Sequence, residues 1–202
     1  MIVAGAALTA YAALALAVRV GWTDAVDAGI RQFARPDDVW GPVQMRVDLV
    51  VEGLRPPVTA IVTFATVSVI SVTRSSWRPL VFFAGVGLSA LIVTVLSKGA
   101  LLRPDPHGFV TGSGGSFPSG HTMTVVVLTG VVALQLPQAL QPWVRAVPAG
   151  LGLLMGAALL VEGAHWGTDV AGAGLLAGGV LAVAVATGFR DWAAAPPPPR
   201  SS

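Results

Sequence analysis

Charge is scarce in this chain. Of 202 residues only 11% are Asp, Glu, Lys or Arg, against more than half that are apolar, where a soluble domain carries about a quarter charged residues. Cysteine is absent, which excludes disulfides and thiolate metal sites. Lysine occurs once, as Lys98, and there is no basic run interleaved with aromatics, so nucleic acid is not an expected partner. The frequent Ala, Gly and Val and the preference for Arg over Lys read as a high-GC bacterial genome. A chain this apolar needs lipid as its solvent, and a helix crosses the hydrocarbon core with about 20 mostly apolar residues.

Several such runs are present. The first, residues 2–18, lacks a basic leading segment and reads as a membrane helix in preference to a cleavable signal peptide. Residues 57–72, 80–96 (extendable to 102), 122–136, 148–161 and 169–189 supply five more. The expected fold is therefore all-α, a polytopic membrane bundle of about six transmembrane helices in one domain, residues 1–190. Between the first two spans, residues 19–56 are mixed. Trp22, Val26, Ile30 and Phe33 recur at helical spacing among Asp24, Asp27, Arg31 and Arg35, which predicts amphipathic helices on the membrane surface, broken at Pro36-Asp37-Asp38. The tail 191–202, with prolines 196–199, is expected to be disordered. Gly152-xxx-Gly156 and Gly174-xxx-Gly178 are candidate close-packing sites between helices.

Counting spans puts the loop 103–120 and the junction of the fifth and sixth spans on one side. The other side receives Arg74, Arg78, Arg145, Arg190 and Arg200 against one acid, Asp191. Short basic loops favour the cytoplasm, so the polar cluster is expected on the outer face of the cell membrane.

Ionisable groups at membrane depth are costly and are functional candidates for that reason. Lys98 and Arg103, at the outer end of the third span, read either as a cationic clamp on phosphate oxygens or, for Lys98, as a lysine snorkelling to the interface. In Gly112-Ser113-Gly114-Gly115-Ser116-Phe117-Pro118-Ser119-Gly120-His121, glycines allow sharp turns and Ser119 is suited to cap the following helix. The N–H groups at that helix start suit an anion, and His121 suits a general acid; a bare Gly/Ser loop would otherwise be a surface loop. In His165-Trp166-Gly167-Thr168-Asp169, an i, i+4 pair shares one helix face. Asp169 then fixes the imidazole tautomer and leaves the other ring nitrogen as a nucleophile, or the pair serves only to cap the helix. The carboxylates are scattered and His107 is not spaced as a ligand, so no metal site is expected.

Together these residues resemble the type 2 phosphatidic acid phosphatase (PAP2) family, which includes bacterial undecaprenyl-diphosphate phosphatases. Its pattern is Lys-x6-Arg-Pro, Pro-Ser-Gly-His and Ser-Arg-x5-His-x3-Asp. The second part is intact at 118–121, and the third keeps His165-x3-Asp169. The resemblance, over about residues 20–190, implies a six-helix bundle hydrolysing a phosphorylated lipid, with neither metal nor cofactor. It implies that His165 attacks phosphorus, Asp169 orients it, His121 protonates the leaving oxygen, and Lys98, Arg103, Ser119 and Gly120 bind the phosphoryl group. Two departures stand out. Asp105 occupies the first motif's arginine position, with Arg103-Pro104 two residues early, and Ala158-Leu159 replace Ser-Arg. They leave open a second reading, a PAP2-like protein that binds or translocates phosphorylated lipids without efficient catalysis.

Overall fold

The computed structural model describes residues 1–110, 114–137, 140, 144 and 146–195. Gly112, Ser113, Arg145 and residues 196–202, Arg200 included, lie outside the described residues; residues 191–194, expected to be disordered, are helical instead, with Ala193 buried. All regular structure among the described residues is helical: α1 (Ile2–Arg19), α2 (Asp24–Ala34), a 3-10 turn (Pro36–Asp38), α3 (Pro42–Gly53), α4 (Pro56–Thr73), α5 (Arg78–Leu101), α6 (Gly120–Gln135), α7 (Ala146–Glu162), α8 (Gly167–Ala186) and the short α9 (Phe189–Ala194). Proline opens α3, α4 and α5 within the first two positions, where its missing N–H is no loss and its fixed φ suits the helix.

The run-length expectation holds. By length and composition α1, the stretch Pro42–Thr73, α5 and α8 are able to cross a membrane, and α6 and α7 are shorter apolar helices. Large apolar side chains such as Ile61, Leu88 and Leu91 point outward, as they do where lipid is the solvent. The interior is small and tightly stacked. Helix α6 is central, packed by α4, α5, α7 and α8, and Phe82, Val127, Val131, Ala173 and Ala177 are buried around it. Helix α1 lies along α8, with its Tyr11 ring stacked 5.7 Å from that of Phe117. Of the two Gly-xxx-Gly sites only the first packs. A Cβ on Gly156 would meet Val170 at 2.3 Å and one on Gly152 would meet Val126 at 2.4 Å, whereas Gly174 and Gly178 face open space.

The surface segment folds as two helices across the end of the bundle, α2 against α7 and α8, and α3 against α7. Most of its apolar stripe points away from the protein, with Trp22 81% and Phe33 90% exposed, while Ile30 turns inward onto Gly167. The polar edge faces inward, and Asp27 is only 1% exposed. This is the inverse of a soluble amphipathic helix and suits a helix whose apolar face meets lipid.

Candidate active site

Three chain segments converge at the end of the bundle beneath α2 and α3: the end of α5, the loop leading into α6, and the turn between α7 and α8. Helix α8 begins after Trp166, which places Asp169 in its first turn, where a carboxylate complements the helix dipole. The Asp169 Oδ2 accepts the Trp166 backbone N–H at 3.1 Å and lies 3.1 Å from His165 Nδ1. With Nδ1 so engaged, Nε2 is the ring nitrogen left for chemistry.

The loop before α6 is fastened to the end of α5. Gly115 donates to the Lys98 carbonyl at 3.2 Å and Ser116 to the Arg103 carbonyl at 2.7 Å. Side chains are excluded at Gly115, where a Cβ would fall 2.3 Å from the Arg103 nitrogen. Lys98 returns the contact, its Nζ donating to the carbonyls of Gly115 (2.7 Å) and Ser116 (3.2 Å). An ammonium has three donors, so one remains for a ligand. Ser119 caps α6, its Oγ accepting from Thr122 N at 3.4 Å and Thr122 Oγ1 at 3.2 Å, and its own N–H donates to the Asp169 carbonyl. That last bond ties the starts of α6 and α8 together.

A cavity of about 910 Å³ opens against this assembly. Its polar end is lined by Lys98, Gly120, His121 and His165, and its apolar end, between α4, α5 and α6, by residues such as Ala60, Phe83, Leu91 and Val127. His121, His165 and Lys98 are close enough for their charges to interact. The N–H groups of the first turn of α6 have no intrahelical partner and add positive potential at the same end.

Two residues expected to bind the phosphoryl group, Arg103 and Ser119, do not line this cavity. Arg103 is turned away from the cavity, 11% exposed, with Nη1 2.8 Å from Asp169 Oδ1 and Nη2 2.6 Å from Asp27 Oδ2; two buried carboxylates hold it more strongly than an open cavity. Trp166 covers it, the guanidinium lying 5.3 Å from the ring centroid while the indole N–H donates to the Pro104 carbonyl at 2.9 Å. Ser119 is fully buried, its hydroxyl spent on capping. Lys98, Gly120, His121 and His165 line the cavity, and Asp169 stands directly behind His165.

The departures from the family pattern have structural reasons. Asp105 folds its own loop, its Oδ1 accepting the N–H groups of His107 and Phe109 at 2.9 Å each. Ala158 and Leu159 are buried core beside Val125 and Met155. Arg35 reaches the C-terminal end of α7 and donates to the Glu162 carbonyl. His107 sits out in the loop, its Nε2 3.7 Å from Asp38 Oδ1. Among the described residues lining the cavity, Lys98 is the only lysine or arginine, and no group of three or more His, Cys, Asp or Glu among the described residues is placed to hold a metal ion. Sequence reasoning missed Asp27, which reads as one more polar residue on a surface helix; it fits the amphipathic spacing there, and nothing in the sequence sets it apart.

The fold has a solved counterpart. The crystal structure of the first transmembrane PAP2-type phosphatidylglycerolphosphate phosphatase from Bacillus subtilis superposes with a TM-score of 0.79 at 20% identity, covering 95% of this chain and 98% of that one. Among curated proteins no sequence matches. The PAP2 superfamily model matches residues 58–193, a stretch that runs from α4 to α9 and contains every cavity-lining group named above; the chain belongs to the PAP2 superfamily.

Proposed function

We propose that this protein is a membrane phosphatase that releases phosphate from a lipid phosphate or polyprenyl diphosphate through a phosphohistidine at His165. The observation that carries the reading is the cavity's division into two ends. A histidine oriented by a buried carboxylate, a second histidine and a lysine stand at one end, and an apolar space deep enough for part of a lipid chain continues from it. The counterpart's description as a phosphatidylglycerolphosphate phosphatase makes phosphatidylglycerol phosphate one of the substrates to test.

In this mechanism Lys98 and the N–H groups opening α6 hold the phosphoryl oxygens. His165 Nε2 attacks phosphorus, and Asp169 stabilises the imidazolium character that develops on the ring. His121 gives a proton to the leaving lipid oxygen, then takes one from the water that cleaves the N–P bond. Arg103 and Ser119 act on the wall of the site, not on the substrate. The outer location is supported by the opposite end of α6, where Arg74 donates to the Gln135 carbonyl and Arg190 to that of Leu134. Short basic segments at that end fit the cytoplasmic side.

One observation favours the second reading. With Asp105 folding its loop and Leu159 in the core, no arginine among the described residues lines the cavity, and one such contact to a phosphoryl group is commonly worth about 3 kcal/mol, or about 100-fold in rate. A protein that binds or moves phosphorylated lipids would tolerate that loss. Phosphate release by purified protein in detergent with EDTA, from phosphatidylglycerol phosphate, phosphatidate and polyprenyl diphosphate, separates the two. Release that His165→Ala abolishes supports the phosphatase; binding of these lipids without release supports the alternative.

A further inference from the structure

We propose that Asp27 is a positioning residue for the His165–Asp169 pair and acts through Arg103; the inference rests on the phosphatase reading above. Asp27 lies on α2, far in sequence from the motifs, yet its carboxylate is buried at 1% exposure against the start of α8. Its Oδ1 accepts the Thr168 N–H at 2.9 Å. Its Oδ2 accepts from Thr168 Oγ1 and Arg103 Nη2, each at 2.6 Å. Arg103 Nη1 then donates to Thr168 Oγ1 at 2.7 Å and to Asp169 Oδ1 at 2.8 Å. Asp169 Oδ2 completes the path to His165 Nδ1 at 3.1 Å. An unbroken chain of short contacts therefore links a surface helix to the attacking residue. Helix α2 is held at this spot by Ile30, which packs so closely on Gly167 that a Cβ there would fall 2.5 Å from its Cδ1.

The charge arithmetic gives the chain its purpose. The planar guanidinium offers Nη1 to Asp169 and Nη2 to Asp27. Were Arg103 paired with Asp169 alone, the pair would be neutral and Asp169 Oδ2 a weaker acceptor for the imidazole. Two carboxylates on one guanidinium leave one net negative charge, and His165 is the group that faces it through Asp169. That charge stabilises the imidazolium character His165 acquires when it bonds to phosphorus. Asp27 also keeps Arg103 off the phosphoryl group, which accounts for an arginine near the first motif that does not line the cavity. Thr168 fixes the rotamers of both partners.

The test uses the full chain in detergent with phosphatidylglycerol phosphate, reading kcat and KM separately. Asp27→Asn is nearly isosteric and retains an acceptor for the Thr168 N–H, so the helix contact survives while the charge is lost. We expect kcat to fall about 10–100-fold with KM within about threefold of wild type, and Asp27→Asn/Arg103→Gln to lose no more kcat than Arg103→Gln alone. A kcat within about threefold of wild type would overturn the inference. So would a raised KM at unchanged kcat, which would place Asp27 on the substrate, or multiplicative losses in the double variant, which would make Asp27 independent of Arg103. If Asp27→Asn does not fold, Asp27→Glu, which keeps the charge but displaces the guanidinium, is judged by the same fall in kcat at constant KM. His165→Ala runs alongside. If wild type releases no phosphate, or His165→Ala releases as much, the phosphatase reading falls and takes this inference with it; His165-dependent release that Asp27→Asn leaves intact removes this inference alone.

Discussion

Replacing Lys98 by methionine keeps the length of the side chain and removes its charge, and the structure sets two separate costs. The first is structural. Lys98 Nζ holds the carbonyls of Gly115 at 2.7 Å and Ser116 at 3.2 Å, and a hydrogen bond from a charged donor is worth about 1.5–3 kcal/mol. The side chain is only half-buried, and removing it also removes the cost of desolvating an ammonium, so the net loss of stability is about 1–3 kcal/mol. The second cost is catalytic. No arginine among the described residues lines the cavity, so losing this one charge is expected to cost about 3 kcal/mol, or about 100- to 1,000-fold in kcat/KM. Phosphate release from phosphatidylglycerol phosphate micelles, together with a thermal melt of the same preparation, reads both. A melting temperature lowered by several degrees with release down at least about 100-fold is the expected result. A folded Lys98→Met protein with kcat/KM within about threefold of wild type would refute the claim that Lys98 contacts the substrate.

His121→Ala should lower release from a lipid phosphate about 100- to 10,000-fold, but cost far less with p-nitrophenyl phosphate, whose leaving oxygen needs no proton; comparing the two substrates checks its role as general acid. Arg103→Ala leaves Asp27 and Asp169 buried without their shared cation and should destabilise the protein by about 3–5 kcal/mol, measured as a fall in melting temperature. Leu159→Arg, which restores the family's residue type, puts an unpaired charge into a site that is 2% exposed; it should destabilise by more than about 3 kcal/mol and give no increase in phosphate release.

The spans were legible in the sequence because run length is a direct reading of the solvent a helix needs, and α1, α4, α5, α6, α7 and α8 all fall within a few residues of the apolar runs. The proximity of His165 and Asp169 was legible from their spacing, but not through a shared helix face: α8 begins at Gly167, so His165 stands in the turn ahead of it and meets Asp169 in the first turn. The cap at Ser119 was legible because the capping rule is local. Arg103 was not. Its direction depends on Asp27, 76 positions away in the chain, and no spacing rule connects a loop after α5 with a helix ahead of α3. The same limit applies to Ser119. The sequence marks it both as a cap and as a phosphate ligand, and only the packing of α6 on α8 shows that the hydroxyl is enclosed. The Leu159 departure read as a lost ligand, and the structure gives it a positive role in the contact of α3 and α6 with α7.

The central claim is that His165 bonds covalently to phosphorus. Rapid-quench trapping tests it most directly: wild-type protein is mixed with phosphate-labelled phosphatidylglycerol phosphate, quenched in alkali within one turnover, and assayed for protein-bound label. The account predicts a phosphoprotein that is stable to alkali and labile to acid, as an N–P bond is, formed no later than free phosphate and absent from His165→Ala. Free phosphate appearing in the first turnover with no labelled protein, or label that persists in His165→Ala, would contradict it.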